Sequence, residues 1–241
     1  MCVIYFSFGQ RVDYPLVLLA NRDEFYDRPT APAERWDDAP QIFAGRDLVA
    51  GGTWLGVTDS GRFAAGTNYR DPDTEKGSRS RGSLVADFLR SSEPAEPYLT
   101  TVQKEAAEYS GFNLLVGEVT AGTNEILYYS NRVVAIRRLE PGIYGLSNHL
   151  LDTDWPKLRR GKERFRELLQ TNELPKREFF ALLADDALAD DNELPETGIG
   201  YEREKLLSAI FIKSPIYGTR SSTILTINGN FEPELDERVF V

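Results

Sequence analysis

The feature that most restricts the fold is an apolar run that begins at the second residue. Residues 3–8 (VIYFSF) are β-branched and aromatic, and they read as a buried strand. Residues 9–13 make a hairpin connection, and residues 16–20 (LVLLA) read as a second strand pairing back along the first. A strand-rich block follows at 47–50, 53–57 and 62–67, with Asp59-Ser60-Gly61 as turn chemistry between apolar runs. Further strands are expected at 113–119, 125–129, 133–138 and 142–146, and at 222–227 and 238–241 around the turn Asn228-Gly229. Helices are expected at 83–89, 96–109 and 155–169, the last amphipathic with apolar residues at 158, 165, 168 and 169. Residues 71–81 read as a polar loop and residues 185–197 as an acidic, solvated one. Strands, then helices, then strands again suggest two antiparallel sheets with helices outside them. No repeat or linker interrupts the pattern, so residues 1–241 are read as one domain, long enough to bury a core.

Charge and cysteine usage remove several functions. The net charge of -10 argues against nucleic acid or an anionic membrane as partner, since both need a basic face. One cysteine excludes an internal disulfide and any cysteine-based zinc or iron–sulfur site. The first apolar run is too short for a signal peptide and lacks a basic start. No stretch approaches the roughly 20 apolar residues of a membrane span, so no integral membrane segment is expected. A reducing compartment, the cytoplasm, is the default location. The pairs Asp185-Asp186 and Asp190-Asp191 lack the ligand spacing of a calcium loop, and Gly51-Gly52 lacks the lysine of a phosphate loop. No metal is expected.

Cys2 is a candidate nucleophile because of its position. If Met1 is removed, a thiol and a free α-amino group share one residue, and that amine titrates at about 7.7–8.0, suitable for a general base. Such a residue needs no histidine partner, and the only histidine is His149. A small second residue lets the initiator methionine be trimmed, so the native chain is expected to begin at Cys2. The plainer alternative is a small buried hydrophobe at a strand start. The second apolar run leads straight into Asn21-Arg22-Asp23-Glu24. In a strand Asn21 and Asp23 point one way, Arg22 and Glu24 the other, and one of these faces lies near Cys2. A carboxylate there could orient the α-ammonium; a salt-bridged strand end is the alternative.

Met-Cys, NRDE after the second strand, GGTWLGV with its following turn, GTNYRDP, SNHLLDTDWPK and GTRSSTIL together resemble the NRDE-motif family, also called the transport-and-Golgi-organisation family. Through it the chain resembles N-terminal-nucleophile hydrolases of the choloylglycine hydrolase and penicillin V acylase type. The resemblance implies an α+β fold, a four-layer αββα sandwich, and cleavage of C–N (amide) bonds in a small acylated molecule. It places Cys2 on the nucleophile, Asp23 on the aspartate that touches the amino group, and Asn68 on the oxyanion-hole asparagine. Asn148 falls on a second asparagine and Arg220 on a strand arginine beside the nucleophile. Arg22 is the alternative for the arginine that hydrogen-bonds the sulfur, with Asn21 as support. That reading needs no cofactor. The rival is a carrier of haem or acyl-coenzyme A, for which His149, Cys2 and the tyrosines are the only axial ligands at hand.

Overall fold

The structure, a computed structural model, describes residues 2–72 and 77–241. The chain begins with four strands: β1 (Cys2–Phe8), β2 (Leu16–Phe25), β3 (Thr30–Trp36) and β4 (Ala39–Asp47). Next come β5 (Leu55–Thr58), β6 (Arg62–Asn68), α1 (Arg81–Arg90), α2 (Ala95–Lys104), β7 (Phe112–Val119) and β8 (Asn124–Ser130). The short β9 (Arg137–Arg138) and β10 (Gly142–Leu146) precede α3 (Pro156–Leu168), α4 (Lys176–Leu183) and α5 (Tyr201–Leu206). Two strands, β11 (Tyr217–Ile227) and β12 (Pro233–Val239), end the chain.

One sheet has the order β10-β1-β2-β11-β12, and the other runs sequentially from β3 to β9. Ladders within both are antiparallel, and β1 pairs with β2 as the hairpin reading required. Even-numbered residues of β1 (Ile4, Phe6, Phe8) enter the core between the sheets, beside Phe63, Leu115 and Ile126. Odd-numbered Val3 and Tyr5 pack instead against Phe165 of α3 and Phe179 of α4. Burial on both faces explains why the run has so little polar character. On the second sheet, Leu114 and Val116 pack against Phe88 of α1 and Leu99 of α2. The layers are therefore helices, sheet, sheet, helices: the expected αββα sandwich. Gly161 lets α3 lie directly on Tyr5, since a Cβ there would fall 2.2 Å from the ring Cζ.

Several elements differ from the sequence reading. β3 carries Pro32, Glu34 and Arg35 and sits at a sheet edge, where charge and proline are tolerated, so it has no apolar signature. Residues 47–50 are the end of β4 and a turn that closes at Gly51, with φ +75°. Of 133–138 only Arg137–Arg138 pair, and the helix expected at 96–109 stops at Lys104 before a separate 3-10 turn, Ala106–Glu108. α4 and α5 went unread, and β12 begins five residues before the expected 238. Residues 73–76, inside the expected polar loop 71–81, lie outside the described residues. No helix of the described residues is long and apolar enough to cross a membrane.

Candidate active site

A cleft of about 490 Å³ lies between the two sheets, bordered by Cys2, Arg22, Asp23, Thr53, Trp54, Asn68, Arg81 and Arg220 among others. Backbone register assembles its first wall. Cys2 lies opposite Arg22 in the β1–β2 ladder, and Asp23 opposite Thr219 in the β2–β11 ladder. A bulge between Thr219 and Ser221 leaves Arg220 as the extra residue, turned toward the cleft rim. Directly opposed residues share a face, so Cys2 and Arg22 look into the space between the sheets. Asp23, one residue on, faces the α3 side with Asn21 and Leu19.

NRDE is thus the buried end of a strand and no break in it: Asn21, Arg22 and Asp23 are all buried. Asp23 Oδ1 accepts a hydrogen bond from Thr219 Oγ1 at 2.7 Å, and its carbonyl accepts one from Tyr217 Oη at 3.2 Å. Burial pushes the Asp23 carboxyl up, opposed by Lys157, the Thr219 hydrogen bond and Arg22. Burial likewise raises the Cys2 thiol, and the nearby Asp23 carboxylate adds to it, while the Asp23 N–H and the Arg22 guanidinium favour the thiolate. Met1 lies outside the described residues.

The opposite wall comes from the end of β6. Asn148 Nδ2 donates to both the carbonyl and Oδ1 of Asn68, at 3.0 Å each. With that oxygen engaged, it is the Asn68 NH2 group that remains for the cleft, the polarity an oxyanion requires. Asn148 does not border the cleft; it is fully buried behind Asn68 and acts through it. Ser147 Oγ donates to the Cys2 carbonyl at 3.0 Å, tying this corner to β1. The main-chain N–H of Arg70 donates to the Asn148 carbonyl at 2.6 Å, which closes the turn after β6.

Two residues have structural employment. Asn21 points into the helix layer, its amide donating to the carbonyls of Leu183 (2.8 Å) and Ile210 (2.9 Å) while it accepts from Ser222. Period-two alternation puts it on the face away from the Cys2 side chain. Arg220 borders the cleft, but its guanidinium donates to the main-chain oxygens of Phe25, Arg28 and Val241. His149 stands away from the cleft lining between Tyr69 and Trp155, with Nδ1 2.8 Å from Thr153 Oγ1, and burial holds its pKa down. Among the described residues no group of three or more His, Cys, Asp or Glu could hold a metal ion.

Sequence reasoning missed Arg81, at the start of α1, and Lys157. Lys157 is 2% exposed and donates to the Leu207 carbonyl at 3.0 Å. The signal was present: 157, 161, 165 and 168 form one stripe at helical spacing, and Lys157 sits on it. Burial and the neighbouring Arg70 push its pKa down to about 8, against pulls from Asp23 and Cys2. In the unfolded chain it stays protonated up to its ordinary 10.5. Between those values the unfolded chain binds more protons, so Lys157 makes stability rise with pH across that window. Below about 8 the buried charge imposes its full cost. The Tm of Lys157→Met relative to wild type is therefore expected to be highest below that pH and to decline toward 10.5. Thermal melts of both proteins across the window check this; a constant difference would contradict it.

The sequence model of the family described as Transport and Golgi organisation 2 matches residues 1–241. The Transport and Golgi organization protein 2 homologs of Bos taurus and Homo sapiens are each 38% identical over 259 residues, covering 99% of this chain and 92% of theirs. The Drosophila melanogaster protein is 30% identical over 187 residues, covering 71% of this chain and 66% of its own. Among solved structures, the Caenorhabditis elegans N-acylethanolamine-hydrolyzing acid amidase ortholog superposes with a TM-score of 0.54 at 8% identity, covering 100% of both chains. The C2A mutant of the conjugated bile acid hydrolase from Clostridium perfringens gives 0.52 at 8% identity, covering 100% of this chain and 97% of that one. Both share the sandwich.

Proposed function

The chain belongs to the Transport and Golgi organisation 2 family, and from that premise we propose that it is a cysteine N-terminal-nucleophile amidohydrolase acting on a small acylated molecule. The observation that carries this reading is one cleft bordered by the only cysteine, by an asparagine whose oxygen is already engaged, and by a buried aspartate. Solved proteins of the same fold bear the names of an amidase and a bile acid hydrolase, which agrees with such chemistry.

In this reading Met1 is trimmed and the α-amino group of Cys2 takes the thiol proton. The sulfur attacks the amide carbonyl carbon, a C–S bond forms, and the negative charge moves to oxygen, where the Asn68 NH2 receives it. Collapse breaks the C–N bond, and the α-ammonium returns the proton to the departing amine. Water then attacks the thioester, releasing a carboxylic acid and regenerating the thiol. Asp23 holds the ammonium electrostatically, Arg22 stabilises the thiolate, and Asn148 orients Asn68.

The test is intact-mass spectrometry of protein from its native host, combined with amine release from a panel of N-acyl amides. The expected result is a chain lacking Met1 that releases amine and carries a transient acyl group on Cys2. A chain that retains Met1 and releases no amine would overturn the hydrolase. It would leave a carrier of an acyl or haem-like ligand.

A further inference from the structure

Six arginines border the cleft: Arg22, Arg28, Arg46, Arg79, Arg81 and Arg220. Arg28 is paired with Asp47, Arg46 with Asp38, and Arg79 with Glu105. Arg220 is held by main-chain oxygens. Arg22 and Arg81 are different. Arg22 donates to Thr30 Oγ1 at 3.1 Å and Arg81 to the Gly111 carbonyl at 3.1 Å; no ion pair to a carboxylate is made by either among the described residues. Scarcity does not explain this, because the chain has 38 acidic against 28 basic side chains.

Placement points to a ligand. Arg22 comes from the first sheet and is directly opposite Cys2, while Arg81 opens α1, which packs on the second sheet. The two arginines thus border the cleft from opposite walls, and the Cys2 thiolate would favour the charge on Arg81. Among the described residues Glu24 borders the cleft and its carboxylate interacts electrostatically with Arg81, while its Oε1 accepts from the Phe25 N–H at 2.9 Å. The first turn of α1 has no acidic residue, so its N-terminal end adds to the positive field.

We propose that this cleft selects acyl amides that carry a carboxylate, bound between Arg81 and Arg22 with the scissile carbonyl at Cys2. The inference rests on the hydrolase reading but concerns recognition. A guanidinium matches a carboxylate bidentately, and such charge-assisted bonds are the strong ones. Each is sufficient for about tenfold or more in discrimination.

The experiment compares a glutaryl amide, with its carboxylate on the acyl side, butyrylglycine, with its carboxylate on the amine side, and neutral N-butyryl methylamide. At least one charged amide is expected to exceed the neutral one by about tenfold or more in kcat/KM. Arg81→Gln, folded as judged by an unchanged Tm, is expected to erase that preference, and Arg81→Lys to restore part of it. Calorimetric titration of the Cys2→Ala protein with the same three compounds reads binding without turnover, and the charged preference should weaken with added salt. Equal kcat/KM and equal affinity for charged and neutral amides, or a preference that survives Arg81→Gln, would overturn the inference. Binding preference without turnover in wild type would sustain it while counting against the hydrolase.

Discussion

Replacing Cys2 by alanine is expected to lower amide turnover by about 10³-fold or more, the scale on which removing a covalent nucleophile acts. The remaining parts of the site cannot form the thioester. The Asn68 amide still polarises a carbonyl, so the residual rate should exceed that of water alone. Substrate affinity should persist, because the lost atom is one sulfur in a cleft whose polar anchors come from other strands. Stability should change little, since β1 keeps its ladders to β2 and β10. Single-turnover kinetics with intact mass read both quantities: no acyl adduct and no burst are expected from the variant. Activity within tenfold of wild type would remove Cys2 from the chemistry.

Glu204→Ala is expected to be the most damaging substitution for stability, costing roughly 3–5 kcal/mol as the breaking of a buried ion pair does. Arg70 and Glu204 are 4% and 5% exposed in their side chains. Glu204 also accepts from the Thr197 N–H at 2.9 Å, and Arg70 lies over the Trp155 ring at 4.6 Å. Among the described residues Nε and Nη2 of Arg70 have no hydrogen-bond partner, so removing Glu204 leaves a buried cation with little to satisfy it. For a chain of this size the loss corresponds to a fall in Tm of roughly 6–20 °C. The double variant Arg70→Met/Glu204→Leu should recover most of it, because the stranded charge goes as well. Thermal melts of the three proteins decide this; equal losses in single and double variants would show that packing, and not charge, governs the position. Turnover should also fall in Glu204→Ala, since the Arg70 N–H holds the turn that carries Asn148 and, through it, Asn68.

How much of this was legible depended on which force shaped each part. β1 and β2 were readable because burial on two faces demands a continuous apolar run. β3 was not, because an edge strand is free to carry Pro32, Glu34 and Arg35. The resemblance to known hydrolases brought Cys2, Arg22, Asp23, Asn68 and Arg220 to one cleft, while alternation turned Asn21 to the helix layer. Asn148 behind Asn68 is a tertiary relation across 80 residues with no local trace. Arg81 was hidden in a polar segment, where an arginine facing a cleft and one facing solvent look alike. Lys157 was overlooked because a lysine is discounted from a core stripe, although its helical spacing marked it.

The strand order has a consequence in time. The second sheet is a meander of neighbours from β3 to β9, interrupted only between β6 and β7 by α1 and α2, so its strands pair with the next one made. The first sheet draws β1 and β2 from the beginning of the chain, β10 from beyond its middle and β11 and β12 from its end. During synthesis the β1–β2 hairpin must wait for residues 217–227 before Asp23 gains Thr219 and the bulge at Arg220 exists. The cleft is consequently the last part of the molecule to be completed, since one of its walls is an unfinished sheet until the final strands are made.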